Sequence, residues 1–193
     1  MRCFNLSLQA VAVLAPNNNG VSGVVRFTQE GNVLHIDYDI QGLSDGEHGF
    51  HIHQYGDLTD GCDSACSHFD PYGKEHGSSD SKVRHLGDLG NIISENGLAQ
   101  GRISNKSISL YMGRINCIVG RMIIVHQDRD DLGLGGDAES LKTGNAGKRV
   151  GCGVIGLAKS SDECETKILN SNKSYIGIGA LVGSVVGLIL SKK

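Results

Sequence analysis

The chain has no tryptophan and only 2 prolines and 4 phenylalanines among its 193 residues. It carries no Cys-x-x-Cys pair, which speaks against an added Cys-x-x-Cys metal domain. No segment of its first 160 residues sustains a helical period, which argues against a helix bundle. There is no positive surplus either: the formal net charge is −3, and no nucleic-acid partner is expected. What is abundant is glycine, 28 residues, about twice the usual fraction of roughly 7%.

Glycine-rich, turn-rich chains make sheets. The clearest strand is Val33 to Gln41, where Leu34, Ile36, Tyr38 and Ile40 alternate with His35, Asp37, Asp39 and Gln41. That period of two buries one face and places His35 on the wet one. Gln9 to Leu14, Val24 to Thr28, Leu98 to Ile103, Ile118 to Val125 and Val150 to Ala158 read as further strands, separated by turns such as Asn17-Asn18-Asn19-Gly20 and Glu95-Asn96-Gly97. The pattern predicts an all-β domain, a sandwich or barrel of antiparallel strands.

The chemistry lies in the histidines. His51 and His53, within His48-Gly49-Phe50-His51-Ile52-His53, stand at i and i+2 and leave a strand on the same face. His68, His76, His85 and Asp88 follow in one polar stretch, and His126 ends the apolar run Met122-Ile123-Ile124-Val125. Six imidazoles and one carboxylate suit zinc and copper better than calcium or magnesium, which want oxygen ligands. They are too many for one tetrahedral zinc. Two metals, or some idle histidines, are the alternatives.

From about Leu8 to Lys159 the chain resembles the eukaryotic-type copper/zinc superoxide dismutases. The likeness is carried by Gly49-Phe50-His51-Ile52-His53, by His85-Leu86-Gly87-Asp88-Leu89-Gly90-Asn91, by Gly120-Arg121 with His126, and by Lys142 to Arg149 with Gly151-Cys152-Gly153-Val154-Ile155-Gly156. The resemblance implies a Greek-key β-sandwich of about eight antiparallel strands. It implies copper on His51, His53, His68 and His126, zinc on His68, His76, His85 and Asp88, and His68 as the shared bridge. It implies dismutation of superoxide to dioxygen and hydrogen peroxide, with copper alternately reduced and reoxidised while His68 carries a proton. A homodimer is implied as well, with Gly120 and its neighbours Ile118 and Val119 as candidate interface. A competing class is a non-catalytic metal-binding or copper-delivery protein on the same domain; it would be expected to lack copper ligands or Arg149, or to carry a further Cys-x-x-Cys domain.

Two long connections, Gln54 to Gly90 and Gln127 to Lys148, exceed the usual length of structureless loops and are functional suspects. By resemblance the second rims the active-site channel, and Asp130 on it hydrogen-bonds His51 and His76, joining the two metal sites. Arg149 is the expected guide for a small anion, with Lys142 adding attraction. Residues 1 to 160 carry 14 basic and 18 acidic side chains, so positive potential must be focused locally.

Of the 6 cysteines, Cys62 and Cys152 occupy the positions of the family's intradomain disulfide. Cys3, Cys66, Cys117 and Cys164 are left over, which fits a mostly reducing compartment. Cys66-Ser67 departs from the Gly-Pro common in the family and puts a thiol beside both Cys62 and His68. Arg2 followed by Leu8 to Ala15 imitates a signal peptide, yet Gln9 to Leu14 matches the first strand, so a cytoplasmic enzyme is expected. The expected organisation is a metal domain over 1–159, a polar linker over 160–174 and a hydrophobic tail over 175–193. Tyr175 to Leu190 is an uncharged run of 16 residues with Gly179, Gly183 and Gly187 at helix-packing spacing. As a helix of about 24 Å it is short of the roughly 30 Å hydrocarbon core, and thinning with lysine snorkelling makes it a candidate transmembrane anchor.

Overall fold

The computed structural model describes residues 7–16 and 18–159. The tail and linker expected beyond residue 159, with their hydrophobic helix, lie outside the described residues. Among the described residues nine strands form two antiparallel sheets: β1 (Leu8–Leu14), β2 (Ser22–Glu30), β3 (Val33–Gln41), β4 (Gly46–His53), β5 (Asp88–Ser94), β6 (Leu98–Asn105), β7 (Met122–His126), β8 (Arg149–Val154) and β9 (Gly156–Leu157). One sheet runs in the order β6-β3-β2-β1-β9 and the other β5-β4-β7-β8. The only helical pieces among the described residues are a 3-10 turn at Asp63–Ala65 and α1 at Ser140–Thr143. No helix among them is long and apolar enough to cross a membrane.

Alternation builds the core. Ala10, Ala12 and Leu14 of β1, Val25 and Phe27 of β2, and Leu34, Ile36 and Ile40 of β3 face Phe50 and Ile52 of β4 and Ile123 and Val125 of β7. In β3 the period of two is the one the sequence predicts, and its bounds, Val33–Gln41, are the same. With no tryptophan and few phenylalanines, aliphatic side chains fill the space between sheets, and Tyr38 pairs with Phe50 there at 5.7 Å between ring centroids.

Three expectations are corrected. The final run does not make one strand: Ile155 is fully buried and donates its N–H to Arg121 O at 2.8 Å, so β8 ends in one sheet and β9 begins in the other. With that corner the described residues form nine strands, in keeping with the about eight expected. The strand expected from Ile118 begins at Met122, because Gly120 takes a positive φ of 81° and Arg121 N–H turns back to Ile118 O. Ile118 is itself fully buried, so of the candidate interface only the half-buried Val119 and the exposed Gly120 reach the surface. Finally, Asp88, Leu89 and Gly90 are not loop but the start of β5.

Candidate metal centre

On β4, Phe50 and Ile52 point into the core, so His51 and His53 point out of the sandwich on the other face. β7 lies alongside, pairing His51 with Ile124 and His53 with Met122, and a register shift between Val125 and His126 swings the end of that strand toward the same face. β5 lies on the other side of β4 and pairs Asp88 with His51. Three adjacent strands therefore deliver His51, His53, His126 and Asp88 before any loop contributes.

The first long loop supplies the rest by folding back along β4. Gln54 N–H donates to Ser67 O at 2.9 Å, Phe69 N–H to Ile52 O at 2.8 Å and Gly87 N–H to Phe69 O at 2.9 Å. His68 is bridged to His53 across this return. All seven side chains singled out in the sequence are buried. They form two clusters, His51, His53, His68 and His126 in one and His68, His76, His85 and Asp88 in the other, with the donor atoms of each within 4.8 Å of one another. His68 is the member of both.

The donor atoms fit metal ions. In the second cluster Asp88 Oδ1 stands 2.9, 3.0 and 3.3 Å from the Nδ1 atoms of His68, His76 and His85. Ligands bound at about 2.0–2.1 Å to a tetrahedral ion stand about 3.3 Å apart. In the first cluster, His53 Nδ1 donates to Cys66 O at 2.8 Å and His126 Nδ1 to Gly147 O at 3.1 Å. Both rings then turn bare Nε2 atoms toward each other at 3.3 Å, an arrangement that repels unless a cation lies beside both. His51 Nδ1, His68 Nε2 and His76 Nδ1 are buried without a hydrogen-bond partner. Such an atom costs about 1–3 kcal/mol unless a ligand satisfies it.

Asp130 orients two of these rings. His51 Nε2 donates to its Oδ2 and His76 Nε2 to its Oδ1, each at 2.8 Å, which leaves Nδ1 of both rings free as ligand atoms. Asn91 holds Asp130 by its backbone, accepting from Asp130 N–H at 2.7 Å and donating to Asp130 O at 2.9 Å. Gly144 makes the reach possible: it has φ of 66°, and a Cβ there would collide with Asp130 Oδ1 and His76 Nε2. Asn91 and Gly144 both fall in the strings that carry the family resemblance, but nothing in one sequence says that they act through Asp130. His48, also buried, sets Nδ1 2.9 Å from His126 O and Nε2 2.9 Å from Ser44 O, and so braces the end of β7.

The charge states of four of these rings suit ligation. Burial holds His51 and His53 well below the ordinary imidazole value, with His68 adding to the effect in each, and burial brings His126 down to about 4. Burial also lowers His68. At neutral pH these rings present lone pairs. Burial opposes ionisation of Asp88 and Asp130, but hydrogen bonds from the surrounding imidazoles outweigh it and hold both below the usual carboxylate range. Burial would lower His76 too, yet the hydrogen bond to Asp130 and the adjacent Asp88 raise it to about 9 in the metal-free chain.

Arg149 opens β8 opposite His126 and lines a cavity of about 920 Å³ together with His53, His68, His126 and Lys142. Its guanidinium donates to Cys62 O at 2.7 Å, to Asp63 O at 3.1 Å and to Cys66 O. Three carbonyls thus fix a cation at the cavity wall, and its charge further disfavours protonation of His53 and His126. Cys62 is joined to Cys152, the pairing implied by resemblance, while Cys66 is a free, exposed thiol. Cys66 adopts φ 65° and ψ −148°, a region that suits glycine far better than a residue with a Cβ.

An antiparallel sandwich in which the outward face of one sheet and a returning loop hold two buried histidine clusters through one shared imidazole defines a dinuclear metalloprotein. Comparison with known proteins agrees. The family model for copper/zinc superoxide dismutase matches residues 21–155. A superoxide dismutase [Cu-Zn] of Paramecium bursaria Chlorella virus 1 is 56% identical over 156 residues, covering 80% of this chain and 81% of the relative. Superoxide dismutase [Cu-Zn] A of Xenopus laevis is 54% identical over 152 residues, 78% of this chain and 98% of the relative. An extracellular superoxide dismutase [Cu-Zn] of Brugia pahangi is 48% identical over 161 residues, 81% and 80% of the two chains. The chain belongs to the copper/zinc superoxide dismutase family.

Proposed function

We propose that this enzyme dismutates superoxide to dioxygen and hydrogen peroxide with copper on His51, His53, His68 and His126 and zinc on His68, His76, His85 and Asp88. The observation that carries the reading is the pair of buried four-donor clusters with His68 in common. When bound, copper supplies a one-electron couple and zinc a fixed divalent charge.

The protein's own groups do the rest. Arg149, fixed by the carbonyls of Cys62, Asp63 and Cys66, attracts the small anion and orients it at the cavity wall. Lys142 on α1 adds positive potential at the same cavity. His68 keeps Nδ1 beside Asp88 Oδ1 at 2.9 Å while its buried Nε2 has no protein partner, so Nε2 is the atom that takes up and hands on a proton. Asp130 holds His51 and His76 in the tautomers that ligation needs.

We also propose a homodimer with Val119 and Gly120 at its interface, a domain bounded at residue 159, a linker over 160–174, and a cytoplasmic enzyme tethered to a membrane by residues 175–190. The uncharged run followed by Lys192 and Lys193 supports the tether. Metal analysis of the purified chain, combined with a superoxide-consumption assay, tests the main reading. One copper and one zinc per chain with rapid turnover is the expected result; a metallated chain that does not consume superoxide would make it a metal-binding protein instead.

A further inference from the structure

The connection between β6 and β7 carries large apolar side chains at its corners. Arg114 N–H donates to Tyr111 O at 3.4 Å and Cys117 N–H to Arg114 O at 3.0 Å, so one four-residue turn follows another. Gly113, with φ of 83°, supplies the left-handed residue that the first turn needs. Met112 and Ile115 each stand at the second position of a turn, 68% and 60% exposed. We propose that this loop is a contact site for an anionic lipid surface, with Met112 and Ile115 entering the headgroup layer and Arg114 meeting lipid phosphate.

A single exposed apolar residue is ordinary, but turn corners usually take Gly, Pro, Asn, Asp or Ser. Two large apolar side chains on successive corners of one loop suit a surface that covers them. The charge around them has one sign. Lys106, Arg114 and Arg121 lie between residues 106 and 121 and no Asp or Glu does, in a chain of net charge −3. Lys106 and Arg114 are exposed, and Glu30, on the adjoining turn between β2 and β3, is 3.6 Å from His35. Basic residues beside apolar tips match a bilayer with anionic headgroups, where a guanidinium meets phosphate and the tips meet the acyl boundary. A nucleic acid would answer the charges alone and leave Met112 and Ile115 in water.

The loop is held in shape before it meets a partner, so little backbone freedom is lost on contact. Its neck is closed by Ser109 N–H to Asn116 O and Ile118 N–H to Ser109 O, each 3.0 Å. The Tyr111 hydroxyl donates to Gly31 O at 3.1 Å, and the Arg114 guanidinium lies 4.5 Å from the centre of the Tyr111 ring. Arg121 Nε donates to Cys117 O at 2.9 Å and its Nη1 to Gln54 O at 2.8 Å, which fastens the far side of the loop to the sandwich. The chain itself favours lipid over an acidic protein as the occupant, because it continues past Lys159 into the uncharged run Tyr175 to Leu190. In that respect the inference rests on the membrane tether proposed above, which would keep the loop beside a bilayer.

The chain has no tryptophan, so Met112→Trp and Ile115→Trp each place a single fluorescent reporter at the tip. Ile93→Trp, at a 57% exposed position on β5, places one elsewhere on the domain. The full-length chains, loaded with copper and zinc, are mixed with vesicles of phosphatidylcholine, with or without phosphatidylserine, that carry a spin-labelled lipid as quencher. With phosphatidylserine present, emission from positions 112 and 115 should shift to the blue and be quenched, while emission from position 93 stays as in solution. Adding Arg114→Gln to the Met112→Trp chain should weaken the loop contact about fivefold, the worth of one basic residue at an anionic surface. Zinc content and superoxide consumption in solution should match the native chain in every variant, which shows that each is folded. Vesicle binding without quenching at positions 112 and 115 would overturn the loop contact and leave the tether standing; no vesicle binding at all would overturn both. Blue-shifted emission from position 112 before vesicles are added would also overturn the proposal, since the tip would then be covered by protein.

Discussion

The guanidinium of Arg149 donates to the carbonyl oxygen of Cys62 at 2.7 Å, and the sulfur of Cys62 is bonded to Cys152, three residues along the strand that Arg149 begins. The disulfide and the hydrogen bond tie the same loop segment to the same strand. The covalent link holds the carbonyl fence of Cys62, Asp63 and Cys66 where it aims the cation into the cavity. His53 is held by that fence as well, through Cys66 O.

Replacing Arg149 by alanine should therefore lower superoxide consumption by about tenfold or more, the scale of electrostatic guidance. The ionic-strength dependence of the rate should flatten, because a screened attraction has been removed. Copper and zinc content should stay at native levels, since no donor atom is lost. Metal analysis beside the salt profile checks this, and loss of copper would assign Arg149 a structural role instead.

Breaking the disulfide, by Cys62→Ser or by reduction, should destabilise the chain and loosen Arg149 together. The bridge closes a sequence separation of 90 residues, worth about 4–5 kcal/mol in the chain-entropy model. Denaturant unfolding of reduced and oxidised protein gives the stability difference. Non-reducing peptide mapping should return the Cys62–Cys152 peptide and not a Cys62–Cys66 or Cys66–Cys152 one.

His126 belongs to one cluster alone. His126→Ala should abolish dismutation while zinc content stays near one per chain. Native activity in this variant would refute the copper assignment.

Gly144→Ala tests the joint between the two clusters. An added Cβ meets Asp130 Oδ1 and His76 Nε2, and the position has a positive φ. Displacing Asp130 removes the partner of two histidines of the proposed ligand sets, and metal affinity should fall by roughly 10–100-fold, the usual effect of losing an outer hydrogen-bonding partner. Competition with a zinc chelator measures it; unchanged retention would mean that the loop shifts without disturbing Asp130.

Ending the chain after Lys159 should release a soluble domain with native metal content and activity, because all seven proposed donors, Arg149 and the Cys62–Cys152 bridge precede that point. The full-length chain should remain with membranes after a carbonate wash. Equal solubility of the two forms would rule out the tether.

Much of the site was legible as residue type and spacing. His51 and His53 at i and i+2 on a strand need only the pleat to share a face, and the alternation of Leu34, Ile36 and Ile40 needs only a core to face. Glycine abundance without a helical period was enough for an all-β domain. The family strings supplied the grouping of the histidines into two clusters and the pairing of Cys62 with Cys152, which no local rule contains.

Other features depend on contacts between parts of the chain remote in sequence, and only the tertiary structure decided them. The break at Ile155 follows from a backbone bond to Arg121 and from burial between two sheets, so an apolar run that reads as one strand becomes β8 and β9. Ile118 looks like surface beside Gly120 but belongs to the core. That Gly144 must lack a Cβ is visible only once Asp130 lies against it. The sequence determined which chemistry the chain holds, because ligand preference is a property of side-chain type. The fold decided which atoms converge, because 2.8 Å hydrogen bonds from His51 and His76 to one carboxylate require β4, the first long loop and the second to meet in one place.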